Sequence, residues 1–314
     1  MKARGDEITG RAVMVELREL EEMRELEALF AAIWERPEEP PVNSDLLRAL
    51  AHSGNYVVGA RFGNRLVGGL VGWLGGVPGQ ELHLHSHILG VVADSQVRGL
   101  GFELKQHQRR WCLERGVKVV EWTTDPLVRR NAFFNLFKLG ANARAYLVNF
   151  YGVMTDGINA GEESDRLLIS WQLDSVQAEA AGAGRAIEPD VEKLVHGGAT
   201  AVVSVGAAGE PVAGIGSSRV LICQVPEDIV SLRRSDPAAA RSWSLARNFR
   251  RRAAWRLTSS RRTPSHEFLW DGTSRRRCQR SGARLDRRWH GLHAAVAREP
   301  HVLGDQRRAR GWPG

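Results

Sequence analysis

Two neighbouring stretches of the chain carry residue types that could do chemistry. The first is H-L-H-S-H, in which His83, His85 and His87 alternate with other residues. Because strand side chains point to opposite faces with a period of two, we expect the three imidazoles on one face of a strand. A neutral imidazole can accept a proton from an ammonium group near neutral pH. The same three residues could instead ligate zinc or simply line a groove as partly buried histidines.

The second stretch is V-V-A-D-S-Q-V-R-G-L-G, residues 91–101, where a strand end meets a glycine turn and a basic amphipathic segment. A helix N-terminus leaves backbone N–H groups unpaired and attracts anions. Gly99 and Gly101 would let the backbone approach a diphosphate closely. The basic residues expected to add attraction are Arg98, Lys105, Arg109 and Arg110. The turn is therefore either a phosphate cradle or an ordinary strand-to-helix connection.

Both stretches lie within a regular series of predicted elements. Residues 12–20 alternate as a strand, 21–34 have a helical apolar period, and Asn43 caps a second short helix. Gly63 and Asn64 form the turn of a hairpin. The elements that follow are a strand at 81–92, a helix from the glycine turn to Arg115, a strand at 117–125, a helix at 127–139 and strands at 143–152 and 165–174. The predicted order is β-α-α-β-β-β-α-β-α-β-β, a mixed α/β domain.

The spacing of Val91, Gln96, Gly99 and Gly101 resembles motif A of the GNAT N-acetyltransferase superfamily, and the element order is similar to that fold. The resemblance implies a mixed, mostly antiparallel central sheet flanked by helices. It also implies an N-acetyltransferase that moves an acetyl or other short acyl group from acyl-CoA to an amine by direct transfer. Acetyl-CoA would be the co-substrate, no metal would be needed, and the acceptor would be a small-molecule or peptide amine.

The resemblance further implies roles for individual residues. Val91 and Ala93 would pair their backbone with the pantetheine arm. Asn131 would be a polar CoA contact on the following helix, or else an ordinary exposed helix residue. The residues whose backbone would hold the diphosphate are Gln96, Val97, Arg98, Gly99, Leu100 and Gly101.

The same resemblance gives catalytic candidates. His85 lies eleven residues before Gln96, where histone-type members carry a catalytic glutamate, and is the predicted base. Leu136 stands where many members have a tyrosine that protonates the leaving thiolate. Tyr146 is predicted to take that role, with Tyr151 or water as alternatives. The alternative bases are Glu81, Glu121 and Asp125.

The chain divides into four predicted parts. Residues 1–175 form the GNAT-like, acyl-CoA-binding domain, and the small residues of 176–189 predict a linker. Residues 190–246 form a small accessory α/β extension, with strands at 199–206 and 219–226 and a helix interrupted at Asp236-Pro237. This extension resembles one found in a group of predicted acetyltransferases of the superfamily, and its place suggests that it covers or shapes the acceptor site.

The fourth part, residues 247–314, is an irregular tail. Residues 241–314 hold 19 Arg and no Lys against 5 acidic residues, so this region carries a charge of +14 while the rest of the chain carries −6. The tail is interpreted as disordered, as a frameshifted translation of a GC-rich gene, or as a nucleic-acid binder. We do not expect nucleic acid to be the main partner.

Composition limits the remaining possibilities. The chain is 43% hydrophobic and 25% charged, as globular proteins are. Its three cysteines are far apart and fit no metal or disulfide spacing. With no secretory signal or membrane span in the sequence, a cytoplasmic protein without a membrane partner is expected. A homodimer is left open, and the alternative functions are a catalytically inactive CoA-binding protein and nucleic-acid binding through the tail.

Overall fold

The computed structural model describes residues 11–77, 79, 81–93, 98–152, 164–186, 189–214, 218, 220–248 and 294–298. The strands of the first part are β1 Val13–Glu16, β2 Tyr56–Phe62, β3 Arg65–Gly75, β4 His83–Val91, β5 Val119–Thr124, β6 Asn142–Leu147 and β7 Arg166–Gln172. Its helices are α1 Leu20–Ile33, α2 Ser44–His52, α3 Leu100–Glu114 and α4 Arg129–Ala132, and α4 continues as a π-helical segment, Phe133–Lys138.

Seven strands form one sheet in the order β1-β2-β3-β4-β5-β7-β6. All neighbouring strands are antiparallel except β4 and β5, which are parallel. The predicted order of elements and the predicted fold class, a mixed α/β domain with a mostly antiparallel sheet flanked by helices, are both confirmed.

Two apolar cores lie on the two faces of this sheet. Helices α1 and α2 cover one face through a cluster that includes Met23, Leu26, Phe30, Leu47 and Val71. Helix α3 covers the other face through a larger cluster that includes Leu84, Leu104, Val120, Trp122 and Trp171. Residues on β5, and on β4 up to Ser86, therefore alternate between these two environments, and a bulge at His87 reverses the alternation, so that Leu84 and Ile88 lie in different cores.

The helix ends follow from local chemistry. Asn43 caps α2, and its side chain accepts a hydrogen bond of 2.9 Å from the backbone N–H of Leu46. Helix α1 begins with a capping box formed by Glu19 and Glu22. These caps place both helices against the sheet without leaving all of their first-turn donors unpaired.

The parallel pair β4–β5 separates soon after it forms. Its register contains only two residue pairs, Leu84 with Val120 and His85 with Glu121. Beyond them β4 stays paired with β3 up to Val91, while β5 stays paired with β7 up to Thr124. We refer to the gap that opens beyond the His85–Glu121 pair as the β4–β5 splay.

The helix predicted at 127–139 is shorter and less regular than expected. Only Arg129–Ala132 is α-helical, and the following turn is π-helical from Phe133 to Lys138. A π-helical turn widens the hydrogen-bonded ring by one residue and occurs most often near functional sites. An amphipathic period does not distinguish such a turn from an α-helix.

The first half of the region predicted as a linker, residues 176–189, is a helix. Helix α5, Val176–Gly182, begins at Ser175, whose hydroxyl accepts from the N–H of Ala178. Ala178 is fully buried in the core cluster under α3. The small residues that suggest a flexible loop are thus small because α5 packs closely on the domain.

The accessory extension contains helices α6 Val191–His196, α7 Ile229–Ser235 and α8 Pro237–Asn248, and strands β8 Thr200–Val205, β9 Pro211–Ala213 and β10 Val220–Gln224. A strand within the predicted tail, β11 Ala294–Arg298, pairs with β10 and completes a sheet in the order β11-β10-β8-β9. Helix α7 ends before Asp236 and α8 begins at Pro237, where the sequence predicts an interruption. Residues 247–248 of the predicted tail end α8, and its residues 249–293 and 299–314 lie outside the described residues.

Among the helices of the described part of the chain, none is both long enough and apolar enough to cross a membrane.

Candidate active site

The β4–β5 splay places polar side chains at its narrow end. His85 and Glu121 form the last pair before the strands diverge. Their sequence neighbours Leu84 and Val120 are buried in the core under α3, so His85 and Glu121 point to the opposite face of the sheet. The predicted base therefore lies where the splay begins.

The glycine turn lies at the far end of β4, directly before α3. Gly99 has a φ of 82°, a left-handed conformation that side chains other than glycine rarely adopt. A Cβ at Gly99 would have no described atom within 4 Å, and one at Gly101 would meet only Leu89 at 3.6 Å. Within the described residues no acceptor is bonded to the N–H groups of Leu100 and Gly101. Among the described residues, the turn thus leaves these two donors and the space around Gly99 open to an anion.

The other residues predicted to bind CoA lie in different surroundings. Arg98 and Ala93 are exposed beside the turn, while the Leu100 side chain is buried and offers only its backbone. Gln96 and Val97 lie outside the described residues. At the end of β4, Val91 is paired with Gly68 of β3. The opposite edge of β4 at this point faces the splay.

The prediction that Lys105 lies on a basic face of α3 and attracts the diphosphate is wrong. Its ammonium is buried, with Nζ 2.8 Å from Ser86 Oγ and 3.0 Å from Gln108 Oε1, and it lies 3.8 Å from the ring centroid of Trp122. Burial lowers the pKa of Lys105 from 10.5 to about 7. Arg109 also turns away and donates to the carbonyl of Leu173. These side chains face the sheet because the helix period places them on the buried side of α3.

The three histidines of β4 lie together, as predicted. The ring of Trp73 lies 4.9 Å from that of His85 and 4.7 Å from that of His87, and the two imidazoles are 5.8 Å apart. Burial, helped by the neighbouring His87 and His83, lowers the pKa of His85 from 6.5 to about 4. His85 is therefore neutral at physiological pH, with a lone pair that can accept a proton.

The alternative carboxylates are engaged to different degrees. Glu121, which is buried, accepts a hydrogen bond of 2.7 Å from Arg144 and lies 4.0 Å from Nε2 of His83. Asp125 forms an ion pair of 2.8 Å with Arg233 of the accessory extension. Glu81 is exposed at the start of the loop into β4. Within the described part of the chain, no group of three His, Cys, Asp or Glu side chains could hold a metal ion.

The tyrosine candidates are held differently. Tyr151 shares a hydrogen bond of 2.9 Å with the hydroxyl of Thr123 on β5, one arm of the splay. Tyr146 donates to Asp165 from β6, which β7 separates from β5. Leu136 is buried in the core, and Asn131 is exposed on α4. The structure thus connects Tyr151 with the arm formed by β5, while the role of Tyr146 stays a prediction.

Some residues of this region give no signal in the sequence. Trp73 reaches the histidines from β3, and Arg144 reaches Glu121 from a bulge in β6. Each depends on the pairing of distant strands. Alternation within a single segment could not reveal either one.

The fold and the site together define a mixed α/β domain in which a helix begins at a left-handed glycine beside a strand splay. Residues 20–140 match the model of the acetyltransferase (GNAT) family. This part of the chain is a GNAT acetyltransferase-family domain, as the sequence predicts.

Solved structures also resemble the chain. Arabidopsis thaliana Naa50, in complex with the bisubstrate analogue CoA-Ac-MVNAL, is 19% identical, with 51% of this chain and 98% of that chain covered and a TM-score of 0.41. The aminoglycoside 6'-N-acetyltransferase from Enterococcus faecium is 16% identical over 52% of this chain and 98% of its own, with a TM-score of 0.40. An aminoglycoside acetyltransferase from an uncultured soil metagenomic sample, in complex with sisomicin, is 25% identical over 38% and 82%, with a TM-score of 0.34. Comparison with curated proteins finds no match.

Proposed function

We propose that the protein is an N-acyltransferase that moves an acetyl or other short acyl group from acyl-CoA to an amine. The observation that carries the proposal is the β4–β5 splay, which opens between His85 and the glycine turn at the start of α3. The family of residues 20–140 supports the same chemistry. The acceptor is proposed to be a small-molecule or peptide amine.

The residues present fit acetyl-CoA as the co-substrate. The first N–H groups of α3, at Leu100 and Gly101, the left-handed Gly99 and the exposed Arg98 suit a diphosphate. The edge of β4 up to Val91 that faces the splay suits the amide groups of a pantetheine arm, because it can add as an extra strand. We include Ala93, Gln96, Val97 and Asn131 in this proposed site from the family resemblance.

The proposed reaction is a direct transfer. The amine nitrogen attacks the thioester carbonyl, the C–N bond forms, the C–S bond breaks, the amine proton leaves and the thiolate takes up a proton. Positioning of the two reactants in the splay would supply much of the rate enhancement. Backbone N–H groups along β4 would stabilise the charge that develops on the carbonyl oxygen.

Two side chains are proposed to handle the protons. His85 would accept the proton of the amine in its neutral form, directly or through water. The hydrogen bond of Tyr151 to Thr123 on β5 favours Tyr151 over Tyr146 as the group that protonates the thiolate. Glu121 is a weaker candidate base because Arg144 and His83 already surround its carboxylate.

The cofactor site is tested by Gly99→Glu. A side chain with a negative charge at this turn should abolish acetyl-CoA binding as measured by isothermal titration calorimetry. Gly116→Glu is the matched control, because Gly116 also has a positive φ of 73° with open space around it, but it lies at the other end of α3. The control should keep the affinity of the unchanged protein.

Three results would count against the proposal. Equal affinity of Gly99→Glu and Gly116→Glu for acetyl-CoA would remove the cofactor site. Acetyl-CoA binding without release of free thiol across a panel of amines would instead support the inactive CoA-binding alternative. Retention on DNA that weakens with salt and is lost on truncation near residue 246 would support nucleic-acid binding through the tail.

A further inference from the structure

The accessory extension contacts the first domain at a short segment between β5 and α4. We call residues 125–128, which join β5 to α4, the β5–α4 connection. Asp125 of this connection forms an ion pair of 2.8 Å with Arg233 of α7, and each side chain is only 10% exposed. A charge pair this deeply buried is costly to separate, because loss of Arg233 would leave the Asp125 carboxylate away from water without its cation.

Apolar contacts join the same two parts. Leu127 and Val128 are almost fully buried, yet they belong to the core cluster of the extension and not to the cores of the seven-stranded sheet. Their partners in that cluster are Val203, Cys223, Ile229, Ala240 and Trp243. The extension therefore completes its own core with two residues of the connection.

Asp125 also shapes the connection itself. Its Oδ1 accepts a hydrogen bond of 2.8 Å from the N–H of Leu127, while its Oδ2 accepts from Arg233. One carboxylate thus fixes the local turn with one oxygen and contacts the extension with the other. Two further charges of the extension, Glu227 and Asp228, interact electrostatically with Arg129 and Arg130 of α4.

The position of this contact gives it a consequence for the site. The connection leaves β5 at Thr124, one end of the splay, and leads into α4 and the π-helical segment. Helix α4 is only four residues long and has no buried residue of its own, while the π-helical segment after it is anchored by Leu136 in the core under α3. The start of α4 therefore depends on what holds the connection.

We propose that the accessory extension sets the position of α4 beside the acyl-CoA site, and that Arg233 is a positioning residue that acts through Asp125. This inference rests on the proposed function for its effect on acyl-CoA. It assigns the extension to the cofactor side of the domain, whereas the sequence suggests that it covers the acceptor.

The test is Arg233→Met in the full chain, with Arg234→Met as the matched control. Arg234 is the next residue of α7 and is exposed. Arg233→Met should raise the Kd for acetyl-CoA by about tenfold, and Arg234→Met should leave it unchanged. Arg233→Lys, which keeps the charge, should recover most of the affinity. A Kd for Arg233→Met equal to that of the unchanged protein, together with a lower Tm, would reduce Arg233 to a purely structural role and overturn the inference.

Amide hydrogen exchange supplies a readout that does not need acetyl-CoA. Exchange in residues 125–139 should speed up in Arg233→Met and not in Arg234→Met. If the unchanged protein does not bind acetyl-CoA, the proposed function fails, and exchange alone decides the positioning role. Unchanged exchange in this segment would overturn it.

A second variant covers the case in which Arg233→Met does not fold. Asp125→Asn keeps an oxygen for the N–H of Leu127 but removes the charge that pairs with Arg233. It should show the same faster exchange and weaker acetyl-CoA binding. The double variant Asp125→Asn/Arg233→Met should be little worse than Arg233→Met alone, because the ion pair is already lost in that single variant. Additive losses would contradict a shared role.

Discussion

His85 combines a position at the start of the splay with an unusually low basicity. With a pKa of about 4, its imidazole stays neutral above pH 5 and loses its capacity to accept a proton only as the pH falls through 4. A base of this kind is weaker than one tuned to neutral pH. Its advantage is that it is always in the accepting form when acyl-CoA binds.

We expect His85→Gln to lower kcat by about 10²-fold and to leave the Kd for acetyl-CoA unchanged, since the diphosphate site lies at the other end of β4. His87→Gln is the control, because His87 contacts the same Trp73 ring but is more exposed. The two quantities are measured by thiol release and by calorimetry. Parallel losses in kcat and affinity would indicate a structural histidine.

The pH dependence gives a second check on the same residue. The ratio of kcat for the unchanged protein to kcat for His85→Gln should stay constant from pH 8 to pH 6, because a pKa of about 4 lies below this range. A histidine with an ordinary pKa near 6.5 would become protonated over this interval, and the ratio would fall. An inflection near pH 6.5 would therefore contradict the environment described for His85.

At the scale of elements, the close contact between α5 and the end of the π-helical segment depends on Gly140. Its φ is 67°, and a Cβ there would lie 2.7 Å from the carbonyl oxygen of Gln177. Gly140→Ala should therefore lower the free energy of unfolding by roughly 3 kcal/mol, through strain and this clash together. Gly184→Ala, at a φ of 71° with open space, should cost only about 1 kcal/mol. Urea unfolding measures both, and equal losses would show that α5 does not pack as described.

The sequence predicts most elements because each has its own local signal. The apolar period of α1, the Asn43 cap of α2 and the hairpin at Gly63 are all confirmed. Helix α5 is missed because Ala and Gly residues resemble a linker, and only the tight contact at Gly140 explains them. Local composition cannot reveal a contact with a residue almost forty positions away.

The candidate site is predictable to the same degree. The turn at Gly99 and the shared face of the histidines follow from spacing along one segment. The inward direction of Lys105, the approach of Trp73 and the pairing of Asp125 with Arg233 depend on which surfaces pack together. Spacing in the sequence predicts where a residue lies on its own helix or strand. It does not predict which helices and strands pack against each other.

For the molecule as a whole, buried bases link stability to pH. The pKa values of His85, His107 and Lys105 are all lowered, mainly by burial. The unfolded chain therefore binds more protons than the folded protein, so the free energy of unfolding rises with pH. The histidines contribute below about pH 6.5, and Lys105 contributes between its folded pKa of about 7 and its unfolded value of 10.5. Burial raises the pKa of Cys112 from 9.0 to about 12, so this thiol opposes the trend above pH 9.

Lys105 should therefore account for most of the change in the free energy of unfolding with pH between pH 7 and pH 9. Integrating one proton over this interval gives a gain of about 2 kcal/mol in the free energy of unfolding. Lys105→Met removes the titrating amine but keeps most of the side-chain volume, so the gain should disappear. Lys193→Met, at an exposed lysine, should keep it. Urea unfolding at pH 7, 8 and 9 measures the slope for all three proteins. An unchanged slope in Lys105→Met would mean that the ammonium is solvated, and that α3 does not pack on the sheet through Lys105.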